Sequence, residues 1–312
     1  MGIRVGVSSC LLGEPVRFDG GHKRDRFLTD RLGPHVEWVP VCPEVEAGMG
    51  VPRPMLRLHQ DGSVLRLLEV ESRRDHTRAI ERWAGRRVSA LRRLDLCGYV
   101  LKRGSPSCGM ERVKLYGDKG APRRAGRGVY AAALLQALPW LPVEEEGRLS
   151  DPVLRENFIE RVFACRRLRD LFAGRWTPGR VVEFHAAHEL QLMAHSPQAC
   201  RELGRLVGGV KDRPRAEFRR RYEAGFVTAL AKPATPARNT KVLQHMAGTL
   251  HRGLDPEDRA ELSGTIDEYR RGLVPLLVPL TLLRHHSRRM QVEYLLGQVY
   301  LEPHPRELML GV

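Results

Sequence analysis

At 312 residues the chain has room for two domains of about 150 residues each, and 42% apolar with 29% charged residues excludes a wholly disordered polymer. Aromatics are only 6%, so the cores must be mostly aliphatic, and no apolar run approaches the ~20 residues that a spanning helix needs. Lys and Arg exceed Asp and Glu by 15, divided +8 and +7 around residue 150, which points to a polyanionic partner, nucleic acid first, or to a genome rich in surface arginine.

The N-terminus, MGIRVGVSSCLLG, reads as a strand and a Gly turn without a cleavage site, so the expected compartment is the cytoplasm. Ile3–Ser8 is the first strand and ends beside Cys10. Val36–Val41 is the second and ends at Cys42. Leu94–Leu101 is the third and leads to Cys108. Thr77–Arg93, with Ile80, Trp83, Val88 and Leu91 at helical spacing, and Val129–Leu138 supply intervening helices. Strands separated by helices predict an α/β N-terminal domain with a mainly parallel, Rossmann-like sheet over residues 1–148. After EEEGRLSDP the pattern becomes all-helical, which predicts an all-α C-terminal domain over 149–312. Asp151-Pro152, Ser196-Pro197 and Asp255-Pro256 mark helix starts, and Ala231–Asn239 reads as a mobile loop.

Six cysteines in a long chain argue for ligands or nucleophiles rather than a disulfide framework. Cys97, Cys165 and Cys200 lie inside apolar or helical stretches and read as core. Cys10, Cys42 and Cys108 instead follow strands and adjoin Gly, Pro and Ser turns, at the sheet edge where open parallel sheets place their sites. Their wide spacing is unlike a zinc ribbon or finger. From spacing alone, a [4Fe–4S] cluster with one iron lacking a protein ligand, a zinc site, a nucleophilic thiol and buried thiols all remain open. Glu44 beside such a site suits general acid–base work, or is a solvated turn carboxylate. Ser105 suits orienting water or a base edge, or is ordinary turn chemistry before Pro106. Arg17, Asp19, His22 and Lys23, in VRFDGGHKRDR, read as a loop closing on phosphate or base, or as an exposed basic turn; Arg53, between two prolines, reads as a phosphate clamp. Ser9, Lys102 and Ser107 complete the candidate substrate-binding set, the two serines having loop stabilisation as their other role. In the second half, His185, His188, His195 and the pair His285-His286 read as packed or surface histidines in preference to a metal site. Lys211–Arg221 and Arg284–Arg289 are candidate phosphate contacts or solvated faces.

SSCLLG, VRFDGGHKRDR, VCPEVEAGMGVPRP, LKRGSPSCGMERVKLY and LPVEEEGRLSDPVLRENFIERVF together resemble the iron–sulfur thiouracil desulfidase family. FHAAHELQLMAHSP, HMAGTLHRGL, EYRRGLVPLLVPLTLLRHH and YLLGQVYLEPHPREL extend the likeness to its two-domain members that remove sulfur from 4-thiouridine in tRNA. The resemblance implies that Cys10, Cys42 and Cys108 ligate a [4Fe–4S] cluster. It implies Glu44 and Ser105 as catalytic residues, thiolated tRNA as partner, and non-redox hydrolytic desulfuration as the reaction. Free thiopyrimidines are the alternative substrate; a non-catalytic, metal-stabilised RNA-binding protein is the alternative from another class. Gly104, where the family carries a larger side chain, and Glu189, where it more often has Lys, are the departures.

Overall fold

The computed structural model describes residues 2–118 and 120–309, which divide into two compact units, Met1–Phe158 and Ile159–Leu310. The division falls inside a helix, later than the 148/149 boundary read from composition. In chain order the first unit contains β1 (Arg4–Ser8), β2 (Glu37–Val41), α1 (Pro43–Glu46), β3 (Leu56–Asp61), β4 (Val64–Glu69), α2 (Thr77–Arg92), β5 (Gly98–Leu101), β6 (Val113–Tyr116), β7 (Arg123–Gly126), α3 (Val129–Ala137) and β8 (Val143–Glu145).

Two four-stranded sheets result. The first, ordered β2-β1-β5-β8, is wholly parallel, with Val5 against Trp38 and Gly98, and Tyr99 against Val143. Its central strands are buried along nearly their whole length, as a parallel sheet between covering layers requires. Gly6 has no side chain because a Cβ would lie 2.1 Å from the Tyr99 ring. Helix α2 turns Ile80, Trp83, Ala84, Val88 and Leu91 inward. Most of these join Tyr99, Tyr130, Leu134 and Val143 in one core.

The second sheet, ordered β4-β3-β6-β7, is mixed: β3 pairs antiparallel with β4 and parallel with β6, and β6 antiparallel with β7. Its inner face, Leu58, Leu67 and Leu115, packs on Ile80 and Val129. The sequence reading did not include this sheet. The Asp61-Gly62 turn between alternating LRLHQ and VLRLL is a hairpin signal, masked by the arginines and histidine of its outer face.

The second unit is helical: α4 (Pro152–Phe172, begun in the first unit), α5 (Pro178–His195), α6 (Pro197–Gly208), α7 (Arg215–Leu230), α8 (Pro236–Leu250), α9 (Pro256–Arg270), α10 (Leu277–Arg289), α11 (Glu293–Leu296) and α12 (Arg306–Met309). The cap-then-proline starts form as read: Asp151, Ser196 and Asp255 each accept backbone N–H groups of the following turn. Thr235-Pro236 does the same, with the Thr235 hydroxyl accepting from Arg238 N at 3.3 Å. The segment read as a loop over Ala231–Asn239 is therefore helical from Pro236 onward. Among the described residues, no helix is long and apolar enough to cross a membrane.

Candidate active site

Three loops leave the carboxyl ends of β1, β2 and β5 and meet at one cavity of about 270 Å³. After β1 the chain tightens into a 3₁₀ turn, Ser9–Leu12, closed by Gly13 at φ 97°, a backbone angle that favours glycine. The Cys10 carbonyl accepts from Lys23 N at 2.8 Å, and the Leu11 carbonyl from Asp25 N at 2.8 Å, which pins the VRFDGG loop back over the turn. After β2, Cys42 caps α1 and Pro43 takes its first position, where the missing N–H costs nothing. After β5, the Ser105 hydroxyl accepts from the amides of Ser107 (3.2 Å) and Cys108 (3.1 Å), folding 105–108 into a tight turn.

Cys10, Cys42 and Cys108 all line this cavity, together with Ser9, Glu44 and Ser105. The sulfurs lie within mutual electrostatic reach. Burial pushes the Cys10 thiol up to about 11, opposed by the nearby Lys102 and Arg17 cations. Burial also raises Cys42, against backbone N–H groups of Val45 and Glu44, and raises Cys108 strongly, against the Ser8 hydroxyl. Three thiols, each supplied with a donor or a cation suited to anionic sulfur, ring an open space. Among the described residues no group of three or more His, Cys, Asp or Glu is arranged to hold a single metal ion. A zinc site draws its ligands to a point about 2.3 Å away, whereas an iron–sulfur cluster spreads its thiolates over separate irons. Three thiols on separate loops around one open space fit the donor set of such a cluster.

Glu44 is held from both sides. Its Oε2 accepts from Arg53 Nε (2.8 Å) and Nη2 (2.7 Å), and its Oε1 accepts from the Ser107 hydroxyl at 2.8 Å. Arg53, its side chain only 3% exposed, also donates to the carbonyls of Gly50 (2.9 Å) and Val16 (2.8 Å). The reading of Arg53 as a phosphate clamp is thereby revised: its fork is spent on Glu44 and two carbonyls. Ser107 is fully buried and positions Glu44, so it meets no substrate. Lys102 lines the cavity, its ammonium tied to Glu146 and to the Arg103 carbonyl. Arg17 lines it too, 3.4 Å from Asp19 and over the Phe18 ring. Asp19, His22 and Lys23 are exposed and do not line it: Asp19 accepts from Gly21 N and His22 from Arg24 N, each closing a turn. Sequence reading missed Ser8, Glu146, Phe18 and the Val16 carbonyl. Glu146 sits in the EEEG run, a signal that reads equally as a domain boundary.

In the helical unit, His188 stacks on Phe184 and accepts from Arg167 at 3.2 Å, His195 contacts Glu160 at 3.0 Å, and His185 lies 3.1 Å from the Tyr222 hydroxyl. Within the basic stretch Lys211–Arg221, Arg221 and Arg213 engage Glu217, Arg219 engages Glu223, and Arg215 lies over Trp176.

Residues 5–146 match the model of the 2-thiouracil desulfurase family, and residues 189–305 match a family described only as a protein of unknown function, DUF1722. The chain is 33% identical over 156 residues to the uncharacterized protein YbgA of Escherichia coli K12, covering 50% of this chain and 92% of that one. It is 33% identical to a solved [4Fe–4S]-dependent thiouracil desulfidase, TudS, covering 47% of this chain and 93% of that one with a TM-score of 0.40. Residues 5–146, which carry every part of the cavity described above, are the part of the chain that is similar to the 2-thiouracil desulfurase family.

Proposed function

We propose that this protein is a [4Fe–4S]-dependent desulfidase that replaces the thiocarbonyl sulfur of a thiolated uracil with oxygen, and that its substrate is 4-thiouridine within tRNA. The observation that carries the reading is the convergence of three cysteine thiols with Glu44 and Ser105 on one cavity, in the part of the chain that is similar to the 2-thiouracil desulfurase family. Cys10, Cys42 and Cys108 would hold the cluster. When bound, it supplies a Lewis-acidic iron without a protein ligand, able to take a thiocarbonyl sulfur.

The protein's own groups account for the rest. Water adds its oxygen to the thiocarbonyl carbon, the C–S bond breaks, and both water protons end on the departing sulfide, so no electrons enter or leave. Glu44 retains acceptor capacity on Oε1 beside its single Ser107 bond and takes the water proton. Arg53 fixes the carboxylate so that this proton transfer needs no rearrangement. The Ser105 oxygen is occupied by two amides, which leaves its O–H to donate to the pyrimidine edge. Lys102, anchored on Glu146, places positive charge where sulfide departs.

The chain-wide charge of +15, and Arg17, Lys102 and Arg103 at the cavity, support a polyanionic carrier of the base. Six cysteines in a long chain without a disulfide framework suit a reducing, cytoplasmic compartment. Free thiouracil is the second reading, favoured by the substrate named for the TudS relative. Anaerobically reconstituted protein, given thiolated tRNA and free 4-thiouracil in parallel, should erase the near-ultraviolet thione absorbance of the tRNA and release sulfide. Activity on the free base alone selects the second reading, and activity on neither rejects desulfidation.

A further inference from the structure

The outer face of the second sheet has no role in the cavity. Arg57 and His59 on β3, Arg66 on β4, Lys114 and Tyr116 on β6, and Arg124 on β7 share that face by register. Its charge is uneven. Arg66 lies 3.5 Å from Asp61 and 3.3 Å from Asp75, so the β4 side is neutralised. Among the described residues none of Arg57, Lys114 or Arg124 sits in an ion pair, and the last two are exposed. The Arg57 guanidinium lies 5.2 Å over the Tyr116 ring, and its Nε is shielded from water without a hydrogen-bond partner.

Charge on an edge strand commonly guards against strand pairing, and β7 is an edge. That function does not explain Lys114 and Arg57, which lie on interior strands. Unpaired cations around a stacked guanidinium and an aromatic ring suit a polyanion that also presents flat groups. Nucleic acid has both, whereas a lipid surface has no ring to stack. The face also begins beside the site: Met55 and Leu56 line the cavity, and Arg57 is the next residue.

We propose that this face is an RNA-docking surface, on which Lys114 and Arg124 take phosphates and the Arg57–Tyr116 pair takes an unstacked base, holding tRNA while the thiolated base enters the cavity. The proposal rests on the tRNA reading above. Its test measures the affinity of reconstituted protein for thiolated tRNA across a salt series, with turnover of free 4-thiouracil as a check on fold and site. K114E/R124E, both exposed, should weaken tRNA about tenfold or more and flatten the slope of log affinity against log salt by roughly 1.5, leaving free-base turnover within about twofold. R82E/R86E, an equal charge reversal on the exposed side of α2, should change tRNA affinity less than about threefold, since no stacking group accompanies those arginines. Tyr116→Ala should weaken tRNA several-fold while Tyr116→Phe does not. Equal losses for both double variants, or none for K114E/R124E, overturn the surface. Wild-type protein that desulfurates free 4-thiouracil but has no salt-sensitive affinity for tRNA overturns the surface and the tRNA substrate together, leaving the chemistry. Specific tRNA binding with no turnover of either substrate leaves the surface and overturns the chemistry.

Discussion

Both units bury polar side chains, and they treat them in opposite ways. In the first, Cys10, Cys108, Glu44 and Ser105 are drawn to a cavity and keep bonding capacity directed at it. In the second, the buried groups His188, His195 and Asn239 close on neighbouring side chains and carbonyls. His188 is bracketed by Arg167 and the Phe184 carbonyl, and His195 by Glu160 and the Lys232 carbonyl. Asn239 donates to Tyr269 and accepts from Tyr300. A polar group satisfied by its neighbours contributes to structure, whereas one aimed at a cavity is available for chemistry. The same residue type can therefore signal either, and only its partners decide.

Substitutions in the two units should separate these roles. The largest effect belongs to the thiols: Ala in place of Cys10, Cys42 or Cys108 should abolish iron incorporation and turnover, while Cys97→Ala, in the core, should keep both, as iron analysis and sulfide release will read. Next, Glu44→Gln should lower turnover by about 10²–10⁴-fold with iron content unchanged. A variant that also lost its iron would move Glu44 into the structural class. Arg53→Lys keeps the charge but loses the fork, and should cost roughly 10–100-fold in kcat with little change in KM.

The smallest effects lie in the helical unit and concern stability. Burial pulls His188 down to about 3 from its ordinary 6.5. Its neutral form is favoured on folding, so its contribution is complete above pH 6.5 and is lost as pH falls toward 3. His195 shifts the other way: burial opposes its charge, but Glu160 and the Lys232 carbonyl together overcome burial and raise it. Its contribution is complete below pH 6.5 and is lost as pH rises through the raised value. Chemical unfolding of the full chain should show a stability maximum near neutrality. His188→Gln should flatten the acid limb by about 1 kcal/mol per pH unit, and His195→Gln should flatten the alkaline limb. Neither should alter desulfidation of free 4-thiouracil.

Much of the site was legible because it stands where strands end. Cys10, Cys42 and Cys108 each follow a β-rich run and precede a turn of Gly, Pro or Ser, a local pattern that needs no knowledge of distant contacts. The parallel sheet was legible for the same reason. The positioning of Glu44 was not. Arg53 lies nine residues downstream in a proline-bracketed turn, and only the return of the chain shows that it grips a carboxylate rather than a ligand. The second sheet was hidden because its outer face alternates arginine, histidine and lysine, which reads as surface helix or loop until a partner strand is known. The helix start at Pro236 was passed over although Thr235 repeats the signal recognised at Ser196 and Asp255. The flanking AKPA weakened it.

The central claim concerns what the three thiols hold. Iron and acid-labile sulfide should be counted per chain after anaerobic reconstitution, in the wild type and in Cys10→Ala, Cys42→Ala and Cys108→Ala. About four of each in the wild type and close to none in every variant is the predicted result. One zinc per chain, or full iron loading with any of the three cysteines removed, would contradict it.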